Sequence, residues 1–415
     1  MSYSGAYAAA SLLYASVLLS EASASVASSK QEAARQSARD ALRAIDLALL
    51  RAGVDEWAAV AEPIVREANA FLRENAETAA LPAEEEGGAA AAAAAAATTA
   101  AAAAAARDKA RQAWESASPH FSKGVALGAA PIRRVDARTL DASSFCSQFM
   151  EGCINLSPPV AVILTNCVES SWPAFSPERR WSTSYLREKA GERLVPVETY
   201  DKKDATSTYL SDSWEQRVMP LAEYIDRYVE GEVPSEDGGK AEKGYLAQHQ
   251  LFDQIPSLRD DICAPPFCCA STAEDQAAPE GCERRVSPIV SAWLGPSGTV
   301  SPLHTDPYHN LLVQVVGHKY VRLYEARQTP RLYPRDGALC NNCHVDLDKP
   351  RPEEQPLVEG TPCQQCVLAP GEVLYIPRHE WHYVRSLEIS VSVSFWWGAK
   401  LALQTRPDGS MKAVY

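Results

Sequence analysis

Seven short runs, VAVILTNC, RLVPVE, VSAWLG, LLVQVVG, KYVRLYE, GEVLYIP and ISVSVSFWWG, are spread between residues 160 and 398 and separated by Gly, Pro and polar clusters. Each is rich in β-branched and aromatic residues and has the length of one strand, which confines this part of the chain to a barrel or sandwich of short strands. The last run has the clearest period. Ile389, Val391, Val393 and Phe395 alternate with Ser390, Ser392, Ser394 and Trp396, so one face is apolar and the other is small and polar as far as Trp396. A serine-lined face suits a strand looking into a pocket, and it equally suits an ordinary half-exposed strand.

Before residue 119 the period is helical. EAARQSARDALRAIDLALLRAG repeats apolar residues at three- and four-residue spacing up to Gly53, and EWAAVAEPIVREANAFLRE resumes the pattern with Pro63 inside it. The reading is an α+β chain: an α-helical domain over 1–118, a connector over 119–157 and a β-rich domain over 158–415. The alanine-rich stretch at 84–106 favours helix but offers no amphipathic face, so it reads as a low-complexity insert. With 415 residues and 46% hydrophobic content the chain can bury a large core. A net charge of −13 without any Lys/Arg stripe argues against direct nucleic-acid binding. No run approaches the ~18 apolar residues of a membrane span. The opening segment has no basic residue before Lys30, so it reads as a first helix rather than a signal peptide. Eleven cysteines, an odd number, fit a reducing compartment, nucleus or cytoplasm.

The chemistry concentrates late in the chain, where six of the eight histidines follow residue 300. In SPLHTDPYHN, His304 and Asp306 are two apart at the start of a strand and project from the same side. One imidazole and one carboxylate supply two thirds of the 2-His-1-carboxylate triad that holds Fe(II) with open positions. EVLYIPRHEWHYVR offers His379 and His382 for the third place, and spacing alone does not choose between them. Lys319 opens the strand KYVRLYE, where burying its charge is costly unless an anion such as a dicarboxylate neutralises it.

GYLAQHQLFDQIPSLRDDI, SAWLGPSGTVSPLHTDPYHNLLVQVVGHKYVRLYEARQTPRLYP and LAPGEVLYIPRHEWHYVRSLEISVSVSFWWG together resemble the jumonji-C oxygenases. Within that family they are most similar to the jumonji domain-containing protein 5 (lysine demethylase 8) branch. The resemblance is dense over residues 158 to 398 and weaker in the helical region. It implies a double-stranded β-helix of the cupin or jelly-roll type, an enzyme using Fe(II), 2-oxoglutarate and O2. The iron ligands then fall on His304, Asp306 and His382, and Lys319 pairs with the distal carboxylate of 2-oxoglutarate. Tyr245, Gln248, Ser301, Asn310 and Trp396 fall on cosubstrate-pocket positions, and Glu198, Trp214 and Trp293 on positions around the substrate. The chain departs from the branch at Tyr308 and His309, which replace smaller polar residues.

A carboxylate beside aromatic faces suits a planar guanidinium, so arginine C-hydroxylation of a protein or peptide is the favoured activity. Histone methyl-lysine demethylation is the alternative, and a catalytically silent cupin scaffold a lesser one. A peptidase finds no H-E-x-x-H motif and no evident nucleophile–base pair. Outside the resemblance, Cys340-x2-Cys343 and Cys363-x2-Cys366 bracket 19 residues, a spacing that predicts a structural zinc knuckle over 340–366. The other cluster, Cys263, Cys268, Cys269 and Cys282, is irregular in spacing and reads as incidental.

Overall fold

The structure, a computed structural model, describes residues 3–25, 31–52, 54–74, 129–151, 159–201, 208–210, 213–231, 242–278, 282–349, 351–400, 402–405 and 411–414. The alanine tract at 84–106 and the stretch at 107–118 lie outside the described residues, as do parts of the connector.

Three helices come first, α1 (Tyr3–Ser25), α2 (Gln31–Ala52) and α3 (Val54–Glu74). Alanines at the three- and four-residue spacing let them approach closely. Ala34, Ala38, Ala41, Ile45 and Leu49 of α2 are buried with Leu12, Ala15 and Leu19 of α1 and with Ala61, Val65 and Ala68 of α3. No helix among the described residues is long and apolar enough to cross a membrane.

The strands follow: β1 (Ala129–Pro131), β2 (Arg134–Asp136), β3 (Val162–Thr165), β4 (Leu194–Asp201), β5 (Glu215–Pro220), β6 (Glu242–His249) and β7 (Arg284–Gly295). Next come β8 (Val300–His304), β9 (His309–Val316), β10 (Lys319–Tyr324), β11 (Cys363–Leu368), β12 (Val373–Ile376), β13 (Trp381–Ser386) and β14 (Ser390–Ala399). They form two sheets, ordered β1-β11-β10-β13-β8 and β2-β3-β12-β9-β14-β7-β6-β4-β5. Between the sheets, Leu312, Leu374 and Ile376 of the larger meet Val321, Leu323, Leu368 and Val384 of the smaller. The fold is therefore α+β, with helices first and a jelly-roll-like, sheet-rich C-terminal region.

Strand β14 uses its two-residue period as the sequence suggests. Val391, Val393, Phe395 and Trp397 join the core outside the larger sheet, while Ser394 on the opposite face lines a pocket between the sheets.

The same period corrects the zinc expectation. Cys363 and Cys366 both lie on β11, three residues apart, and so point to opposite faces. Cys363 packs with Tyr320 and Tyr383 outside the smaller sheet, and Cys366 with Leu374 and Val384 inside it. Cys340 is exposed and Cys343 buried. A Cys-x-x-Cys pair converges on one metal when it sits in a turn; on a strand it cannot. Among the described residues only His304, Asp306 and His382 gather as a group of three or more metal-ligand candidates, so Cys340, Cys343, Cys363 and Cys366 are not drawn together as the zinc expectation requires.

Candidate functional site

His304 ends β8 and His382 is the second residue of β13, and antiparallel pairing sets the two directly opposite. Their ring centroids are 4.1 Å apart. Asp306 follows β8 by two residues, with Oδ1 4.0 Å from His304 Nε2 and Oδ2 3.4 Å from His382 Nε2. Each imidazole is oriented from behind: His304 Nδ1 lies 2.7 Å from the Pro302 carbonyl and His382 Nδ1 2.9 Å from the Glu380 carbonyl. With Nδ1–H donated to the backbone, both Nε2 lone pairs face the carboxylate, the tautomer a metal needs.

The electrostatics agree. Burial, and then the neighbouring His382, push the His304 pKa down to about 4, so the ring is a neutral ligand near pH 7. Burial would raise the Asp306 pKa, but the adjacent His382, and then His304, outweigh it and hold the carboxyl below its ordinary value. The His304 and Asp306 side chains remain 13% and 12% exposed, which leaves the cluster open on one side.

Between His379 and His382 the geometry is decisive. His379 is held at φ 63°, and its amide donates to the Asp306 carbonyl at 3.0 Å, while its ring stays outside the ligand cluster. It braces the loop that carries Asp306.

The pocket beside the cluster is lined by Tyr245, Trp293, Ser301, Asn310, Lys319 and Ser394, with Leu312, Ile376 and Val384 as its apolar floor. Lys319 is 2% exposed, its Nζ 3.5 Å from the Tyr245 hydroxyl and 6.0 Å from the centroids of the Tyr245 and Trp293 rings. Among the described residues no carboxylate pairs with it. Burial pushes its pKa down to about 7. Asn310 Oδ1 is likewise buried without a hydrogen-bond partner among the described residues. An unpaired buried ammonium and an orphaned amide oxygen, in a pocket adjoining three metal-type ligands, fit an anionic cosubstrate that also reaches the metal. Trp293 is fixed by donating from Nε1 to Ser394 Oγ at 2.9 Å.

Two expected pocket residues lie elsewhere. Gln248 is exposed, at φ 48°, where the register between β6 and β7 shifts, and it does not line the pocket. The bulge turns its side chain away. Trp396 shares the face of Ser394 but stacks on Tyr308, with centroids 6.2 Å apart, and sits beside the pocket lining rather than in it.

Glu198 is half-buried on β4, directly opposite Tyr245 on β6. Burial pushes its pKa up to about 7, against a hydrogen bond with Trp214 that works to lower it. Trp214 itself is 38% exposed, so it belongs to the rim and not to the core.

Tyr209 escaped the sequence reading. Its hydroxyl donates to Asn342 Oδ1, and Asn342 bridges to His304. Burial, and then the nearby charges of Asp306 and Glu198, raise its pKa, so it lies within reach of both. Its one sequence signal is a lone aromatic in the polar stretch ATSTYLSDS.

A family model described as a cupin-like domain matches residues 147–402. The chain is similar to the lysine-specific demethylase 8 of Danio rerio, 44% identical over 243 residues, which are 58% of this chain and 54% of that protein. It is 42% identical over 242 residues to the lysine-specific demethylase JMJ30 of Arabidopsis thaliana, 58% of this chain and 50% of that one. The Jumonji C domain-containing protein 5 of Drosophila melanogaster is 39% identical over 285 residues, 66% of this chain and 65% of its own length. The chain thus spans about half the length of the demethylase relatives it matches.

Proposed function

Since this chain belongs to the cupin-like family of jumonji-C oxygenases, we propose that it is an Fe(II)- and 2-oxoglutarate-dependent oxygenase acting on a protein side chain, most simply an arginine. The observation that carries the reading is the pairing of a His304–Asp306–His382 cluster with a buried, unneutralised Lys319 in the adjoining pocket. In this reading His304 Nε2, His382 Nε2 and an Asp306 oxygen hold the iron. Lys319 takes the distal carboxylate of the cosubstrate, Tyr245 and Ser301 brace it, and Asn310 offers a further polar contact. When bound, iron and cosubstrate supply oxidative decarboxylation: 2-oxoglutarate becomes succinate and carbon dioxide, with one oxygen atom of O2 going into succinate and the other into a substrate C–H bond. The apolar floor of Leu312, Ile376 and Val384 limits water beside the reacting atoms.

The choice of arginine rests on Glu198. A half-buried carboxyl with its pKa near 7, beside Tyr209 and the Trp214 indole, regains its charge when a guanidinium enters and gives a planar, two-pronged partner. The names of the lysine-specific demethylase relatives favour a second reading, demethylation of methyl-lysine, for which a histone tail is the substrate to test. There the same hydroxylation of an N-methyl carbon releases formaldehyde.

The test is a purified-protein assay with Fe(II), 2-oxoglutarate and O2, offering arginine-containing and methyl-lysine histone peptides in parallel, read by mass spectrometry. A gained oxygen on arginine that vanishes in His304→Ala supports the proposal. A lost methyl group with formaldehyde, and no gained oxygen, transfers it to the demethylase reading; no succinate under any condition sinks both.

A further inference from the structure

Asp46 lies on α2, outside both sheets, and is completely buried. Its carboxylate faces the sheet region and collects donors from three residues there. Arg193 Nε reaches the two oxygens at 2.9 and 3.0 Å, the Leu194 amide donates at 2.7 Å, and Gln254 Nε2 donates at 2.7 Å. Gln254 is itself 1% exposed and fixed from every side. Its Nε2 also donates to the Leu194 carbonyl at 2.8 Å, its main-chain carbonyl accepts from Arg193 Nη2 at 2.8 Å, and its Oε1 lies 2.6 Å from His249 Nε2.

This network ends on two strands of the candidate site. Leu194 is the first residue of β4, which carries Glu198, and His249 is the last of β6, which carries Tyr245. Glu198 and Tyr245 face each other across that strand pair. His249 also follows Gln248, whose left-handed backbone a non-glycine residue keeps only where its surroundings hold it. The imidazole bonded to Gln254 is such a hold.

Stability alone does not call for this arrangement. A buried ion pair is commonly matched or exceeded by apolar residues of the same volume; what the carboxylate adds is direction, because four donors, Arg193 Nε and Nη2, the Leu194 amide and Gln254 Nε2, meet it in one geometry. We propose that Asp46 is a positioning residue: through this one carboxylate the N-terminal helices set the β4–β6 strand pair, which carries Glu198 and, on the pocket wall, Tyr245. The consequence for cosubstrate affinity rests on the oxygenase reading; the consequence for strand order does not.

The test uses the full chain and two variants. Asp46→Leu/Arg193→Leu removes both charges, so neither is left buried alone. Gln254→Met cuts the link at its middle and keeps the ion pair. Three readouts are taken: thermal unfolding, amide hydrogen exchange over residues 194–200 and 243–249 without ligand, and the dissociation constant of 2-oxoglutarate with Mn(II) in place of iron. Positioning predicts folded variants with faster exchange in both strands and affinity weakened about 10-fold, equivalent to ~1.4 kcal/mol. Wild-type exchange and wild-type affinity in a folded variant overturn it, as does a lowered Tm with affinity unchanged. Should the double variant fail to fold, Gln254→Met decides. A wild-type protein that does not bind 2-oxoglutarate counts against the oxygenase reading, and the exchange data then decide the positioning role by themselves.

Discussion

Lys319 carries the sharpest residue-scale consequences. Its ammonium is buried among Tyr245 and Trp293 with its pKa near 7, and an arriving carboxylate returns it to full charge. Binding of 2-oxoglutarate is therefore expected to take up close to one proton at pH 8 and close to none at pH 6, with affinity falling as pH rises above about 7. Calorimetry in buffers of different ionisation enthalpy reads this directly, and proton uptake independent of pH contradicts it. The free protein shows the matching stability effect. Because the folded-state pKa lies below the unfolded value, the unfolded chain binds more protons between about pH 7 and 10, and this group makes stability rise with pH across that window. Lys319→Met removes the penalty: we expect a Tm higher by about 2–4 °C for each kcal/mol recovered, together with loss of 2-oxoglutarate binding. A variant that binds as wild type would remove Lys319 from the site.

At the scale of elements, the turn between β9 and β10 decides where Lys319 stands. Gly317 has φ 69°, and a Cβ there would lie 2.0 Å from the Ile389 carbonyl oxygen, which belongs to the backbone and cannot swing away. Gly317→Ala is expected to cost roughly 2 kcal/mol or more and to weaken cosubstrate binding, because the β9–β10 turn must shift. Chemical denaturation checks the first and titration the second. Strand β11 makes a different forecast. With Cys363 and Cys366 on opposite faces and Cys340 exposed, a thiol reagent should modify Cys340 early, while Cys343, Cys363 and Cys366 react only on unfolding. Stoichiometric zinc bound through these thiols would contradict that order of reaction.

At the scale of the whole sheet-rich region, a buried clamp ties together segments distant in the chain. Asp275 of the short helix Ala273–Ala277 pairs with Arg378 and accepts from the Ala399 amide at 2.9 Å. His309 Nε2 lies 2.7 Å from Arg378 Nη2, and its Nδ1 2.9 Å from the Tyr375 hydroxyl. Burial would raise the Asp275 pKa, but the His309 hydrogen bond and the Arg378 charge outweigh it and hold the carboxyl far below its ordinary range. Its contribution is thus complete above the unfolded value near 3.8 and is lost as pH falls below it. Arg378→Met leaves a carboxylate buried without its cation and is expected to cost about 3–5 kcal/mol at neutral pH, with the deficit shrinking in acid. Urea unfolding at pH 7 and at pH 2.5, below the unfolded value, measures both; an equal deficit at the two pH values would show that the clamp acts through packing rather than charge.

The succession of strands, the two-residue alternation of β14, the His304-x-Asp306 pair and the costly lysine were all legible in the sequence, because each is a local pattern with a period or a spacing; that the serine face looks into the pocket was not. The departure at Tyr308 and His309 was visible too, but its meaning was not: one ring stacks on Trp396 and the other is spent in the clamp. The cysteine quartet misled for the same reason, since its spacing serves a turn and the chain put one pair on a strand. The approach of Tyr209, the exile of Gln248 and the reach of Asp46 across to Arg193 and Gln254 were decided only by tertiary structure; spacing also left His382 and His379 open, and only the family resemblance chose between them ahead of the cross-strand register. Each depends on cross-strand register or on contact between segments remote in the chain. Sequence periodicity specifies which face a side chain takes on its own element; which elements then meet is set by the burial of all those faces together.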